Sequence, residues 1–82
     1  MSRLGIAMAL WWLTFDKPIR VFLIEAGDLL TARVKASLHG APTQDFSQGY
    51  ELDAKTAKKV PKDMVGKLLS KKEAEGLLKK LG

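Results

Sequence analysis

Lysine is the most numerous side chain in this sequence that could do chemistry, and nine of the eleven lysines are gathered at one end. Lys55, Lys58, Lys59, Lys62, Lys67, Lys71, Lys72, Lys79 and Lys80 all fall in the last third of the chain. Set against Asp63, Glu73 and Glu75, these nine lysines give residues 55–82 a charge of +6. Residues 1–54 carry five basic and six acidic side chains, a charge of −1, so the whole positive excess of the chain (+5) is C-terminal. A lysine ammonium is a compact point charge that meets a phosphate oxygen well, but it lacks the planar fork with which arginine reads guanine. Residues 55–82 contain no arginine. The cluster therefore points to an acidic partner, DNA or RNA first, held through its phosphates without sequence preference. A solvated helical face is the plainer use of the same lysines.

Other chemistry is scarce. There is no cysteine and one histidine, His39. Thiol nucleophiles, disulfide frameworks, cysteine zinc sites and His-pair metal sites are thereby excluded, and a cysteine-free chain suits the reducing cytoplasm. No glycine-rich phosphate loop, nucleophile elbow or Walker motif is present. Asp16, Glu25 and Asp28 lie close in sequence, but turns and helix starts use carboxylates structurally. His39 falls where a helix ends, at the negative pole of its dipole. The expectation is a non-enzymatic binding protein with no cofactor and no metal.

The elements that must carry the lysines follow from patterning. With 82 residues, 46% hydrophobic and 28% charged, the chain allows a single small domain, residues 1–82. Two apolar runs, Leu10–Phe15 and Ile19–Ile24, flank Asp16-Lys17-Pro18. Both are rich in aromatic and β-branched residues, and a polar, proline-containing break between such runs reads as a β-hairpin. With Lys17 at the turn centre, Phe15 faces Ile19, Leu13 faces Val21 and Trp11 faces Leu23, leaving Trp12–Phe22 and Leu10–Ile24 on the other side. An all-α bundle competes, since Ile19, Phe22, Leu23, Ala26, Leu30 and Val34 also fit a helical period. The hairpin has two apolar faces, more than so small a chain is expected to cover. Trp11, Trp12, Phe22 and Ile24 are accordingly expected at an interface, in a homodimer or docked on a larger protein. The apolar run from Leu4 to Phe15 falls short of the ~20 residues of a membrane span. Asp16-Lys17-Pro18 follows it where a signal peptide would have a small-x-small site. Folded core is expected there, and no membrane contact.

Asp28 is a good N-cap for a helix from about 28 to 39, whose stripe of Leu30, Val34 and Leu38 reads as its buried side. Gly40 and Pro42 stop it. Residues 40–54 read as an irregular connecting segment anchored by Phe46, Tyr50 and Leu52, in which Tyr50-Glu51-Leu52 could add a short third strand. Pro61 then opens a short helix with Met64, Val65, Leu68 and Leu69 on its apolar side. Ser70-Lys71-Lys72-Glu73 is a capping box for a last helix with Ala74, Leu77, Leu78 and Leu81 inward. This pair resembles a helix-turn-helix in outline, without the turn glycine or the Arg, Asn and Gln that read base edges. The expected fold is α+β, an N-terminal β-hairpin followed by three short helices.

Overall fold

The computed structural model describes residues 8–81. Arg3 and the first part of the Leu4–Phe15 run lie outside the described residues. Strand β1 (Ala9–Phe15) and strand β2 (Arg20–Ala26) form the expected hairpin. Helix α1 (Leu29–Leu38) follows, then strand β3 (Phe46–Leu52), the single-turn helix α2 (Ala54–Lys58), strand β4 (Leu68–Ser70) and helix α3 (Lys71–Leu81). The four strands make one antiparallel sheet in the order β3-β1-β2-β4, with the hairpin at its centre. The fold is α+β, with helices on both faces of the sheet.

The hairpin register differs by one residue from the expected one. Leu13 pairs with Phe22, Trp12 with Leu23 and Trp11 with Ile24. The loop has four residues, Asp16 to Ile19, and Lys17 takes the left-handed conformation at φ +63° that Pro18 cannot. Arg20 ties this loop down, donating to the carbonyl oxygens of Pro18 and Asp16 and pairing with the Asp45 carboxylate at 3.0 Å. Because strand side chains alternate, a one-residue slip exchanges the faces of one strand relative to the other. Leu13, Phe15, Phe22 and Ile24 therefore share one face, and Leu10, Trp12, Val21 and Leu23 share the opposite one.

Both faces are covered by this chain itself, which corrects the expectation that one copy is too small. Trp12, Phe22 and Ile24 are buried, and Trp11 is half-buried with its indole N–H donating to the Ala26 carbonyl at 3.0 Å. None of the four stands free as an interface. One face packs on Ala32 and Ala36 of α1; the other packs on Val60, Leu69, Ala74 and Leu77.

Two further expectations change. Residues 46–52 are a full strand rather than part of an irregular segment, paired to β1 from Leu10↔Leu52 to Phe15↔Phe46. Gly49 eases this: a Cβ there would press on the end of the Leu29 side chain at the start of α1, which would have to shift. The helix expected from Pro61 is a single 3-10 turn, Lys62–Met64. Gly66, at φ +83°, breaks the chain away, and Leu69 enters the core opposite Val21 as part of β4. No helix-turn-helix results.

Candidate nucleic-acid interface

Two capped helices carry most of the lysines, with Lys59 at the end of α2, Lys62 in the 3-10 turn and Lys67 before β4. Asp53 caps α2, its carboxylate accepting from the Thr56 N–H at 2.7 Å. At α3 the expected capping box is present: the Glu73 N–H donates to Ser70 Oγ, and the Ser70 N–H donates to Glu73 Oε1 at 2.9 Å. The N–H of Thr56 and the N–H of Ser70 hold the Asp53 and Glu73 carboxyls below their ordinary values, helped by the side chains of the same residues; nearby Lys59 and Lys67 add a smaller pull. Helix α3 turns Ala74 and Leu77 into the sheet. At about 3.6 residues per turn, that places Lys72 and Lys79 on its outward side around Gly76, with Lys71 and Lys80 flanking.

All nine lysines of the cluster, Lys55, Lys58, Lys59, Lys62, Lys67, Lys71, Lys72, Lys79 and Lys80, are exposed. Among the described residues the ion pair is Arg20–Asp45, so no ammonium of this layer is neutralised by direct contact. The layer lies on the sheet face opposite α1. An apolar groove of 490 Å³ opens beside it between β3 and α3, lined by Trp12, Tyr50, Leu52, Thr56, Leu78 and Leu81. Tyr50 is half exposed there and offers a ring to a stacking base. Phe46 offers none, because its ring meets Phe15 edge-on at 5.9 Å and carries the Arg33 guanidinium at 4.4 Å.

The residues weighed for other chemistry are accounted for by structure. Asp28 caps α1, accepting from the Thr31 N–H at 2.7 Å, which with the Thr31 side chain holds its carboxyl below the ordinary value. His39 closes the same helix and stacks on Phe22 at 6.2 Å, and Gly40, at φ +90°, and Ala41 return their N–H groups to the Ser37 and Ala36 carbonyls. Asp16 lies in the hairpin loop, and Glu25 lies at the far end of β2 with its carbonyl accepting from Lys35. Among the described residues no group of three or more His, Asp or Glu side chains could hold a metal, and no helix is long and apolar enough to cross a membrane.

Sequence reasoning missed the exposed ridge Leu30, Val34 and Leu38 on α1, because periodicity identifies a stripe without saying which way it points. Comparison with protein-family models, with curated proteins and with solved structures returns no match to this chain.

Proposed function

We propose that the protein is a non-enzymatic, cytoplasmic nucleic-acid-binding protein whose α2–α3 layer contacts phosphates without reading sequence. One observation supports the reading: nine exposed ammoniums, none in an ion pair among the described residues, fall within residues 55–82, while residues 1–54 have a charge of −1. Such a surface draws in polyanions and releases their counterions on contact. The absence of arginine from residues 55–82 limits it to backbone contact, while Tyr50 adds a stacking surface suited to single strands.

Replacing Lys58, Lys59, Lys71 and Lys72 with Gln tests the proposal. Their side chains are exposed and off the Ala74–Leu77 contact, so the fold is retained. Fluorescence anisotropy with unrelated duplexes and single strands should show affinity falling for all sequences alike. The slope of log affinity against log salt should flatten by roughly 0.9 for each duplex phosphate that is no longer neutralised. Absence of wild-type binding at low salt overturns the reading.

A further inference from the structure

The two edges of the sheet are finished differently. Strand β4 offers three residues and passes straight into α3. Strand β3 is seven residues long and forms the other edge. Its pairing to β1 is regular over residues 48–52, with the one irregularity confined to the Phe46 end. In an antiparallel ladder the N–H and C=O groups of alternate residues point to opposite sides, so half of those of β3 point away from β1. Among the described residues, no backbone group of residues 47–51 has a partner outside the sheet. An exposed edge is usually blunted by lysine, proline or a covering segment. Residues 46–52 contain neither lysine nor proline, in a chain with eleven lysines, and Ser47, Gln48, Tyr50 and Glu51 are exposed.

We propose that the outer edge of β3 takes an extended strand from a different protein, and that this strand reads apolar–basic–apolar. Outward backbone groups spaced for a ladder fit an extended chain lying about 4.8 Å away. Alternation then assigns its side chains. Tyr50 and Leu52 lie on the face of Trp12 and Leu10, where they border the apolar groove shared with Leu78 and Leu81. Side chains placed opposite them gain by being apolar. Glu51 pairs with Trp11 and lies on the α1 face. It is exposed and in no ion pair among the described residues, so the residue opposite it gains by being lysine or arginine. The same positions disfavour a second copy. Two antiparallel copies of β3 bring Tyr50 and Leu52 together across the seam only in the register centred on Glu51, and there the two carboxylates stand directly opposite. Registers centred on Gly49 or Tyr50 bring Gln48 to the groove side instead.

The probes are two blocked seven-residue peptides of alternating valine and threonine, with valine at both ends and either arginine or aspartate at the centre. At saturation the arginine peptide should slow hydrogen exchange of alternate amides in β3 about tenfold or more and leave those of β4 unchanged. N-methylation of one alternate set of peptide residues should weaken binding about fivefold for each hydrogen bond lost, while N-methylation of the other set is tolerated. The aspartate peptide should bind about threefold more weakly, and Glu51→Gln, a change at an exposed side chain, should remove that preference. Absence of any exchange protection at β3, or equal losses from the two N-methylated sets, overturns strand addition. A Glu51→Gln protein that keeps the full preference for arginine overturns the assigned partner chemistry. A wild-type protein that dimerises with the same β3 amides protected, peptide absent, gives the edge to a second copy and overturns the proposal. No nucleic acid enters these measurements, so this proposal and the nucleic-acid reading fail separately.

Discussion

Helices α1 and α3 cover opposite faces of the same sheet with opposite choices of side chain. Helix α3 buries Leu77 and presents lysine; α1 buries alanine and presents leucine. The difference lies in what each helix meets on the sheet, since both follow their preceding strand closely: α1 is joined to β2 through Gly27-Asp28 and α3 follows β4 directly. Helix α1 lies over a face filled by Leu13, Phe15, Phe22 and Ile24, where Ala32 and Ala36 make the buried contact and Leu29 packs at its edge. Helix α3 sets Leu77 beside Ala74 among Leu10, Trp12, Val21 and Leu23. An apolar stripe thus says which residues share a side of a helix, while the depth of the surface beneath decides which side goes in.

The largest expected effect tests that contrast directly. Leu77→Ala opens a cavity at a side chain only 1% exposed and should cost about 2–5 kcal/mol. Leu38→Ala, measured by the same chemical denaturation in dilute protein, should change stability by no more than about 0.5 kcal/mol. Equal losses would mean that α1 does not expose its ridge.

A smaller effect concerns the caps. Ser70→Ala should lower stability by about 1 kcal/mol through removal of the Ser70–Glu73 box. All three helices also rely on a carboxylate at the N-terminus: Asp28, Asp53 and Glu73, each held below its ordinary value by an N–H donor. A carboxyl depressed on folding contributes fully above its unfolded value, about 4, and the contribution is lost as pH falls through the depressed one. Denaturation midpoints should therefore be unaffected by these groups above about pH 5 and should fall as pH is lowered below about 4. A midpoint that rises on acidification would contradict the capping geometry.

The smallest effect is a gain. Gly76 lies inside α3 on its outward side, and a Cβ built there meets nothing within 4 Å. Gly76→Ala should stabilise the fold by about 0.5–1 kcal/mol, read as a higher thermal midpoint.

Where local physics decides the outcome, the structure could be read from sequence. The hairpin, the Asp28 cap, the Ser70–Glu73 box and the inward Ala74 and Leu77 follow from residue type and spacing, as does the exposure of the lysines. Four features did not show in the local pattern. The hairpin register turned on Lys17 accepting a left-handed backbone. Strand β3, with Ser47, Gln48 and Glu51 exposed, is polar because it is an edge, and so it resembles a loop. Strand β4 has three residues, too few to show a period. The direction of the α1 ridge was set by the sheet beneath it. Of the candidate site, charge was legible and the interface was not: Trp11, Trp12, Phe22 and Ile24 were rightly seen as needing cover, but α1, α3 and the two edge strands supply it from within the chain.

Because α1 and α3 lie on opposite faces of one sheet, no single flat surface can cover the exposed leucines of the first and the exposed lysines of the second at once. Substitutions at Leu30, Val34 or Leu38 therefore leave the lysines of α3 in place, and each face can be altered without rebuilding the other.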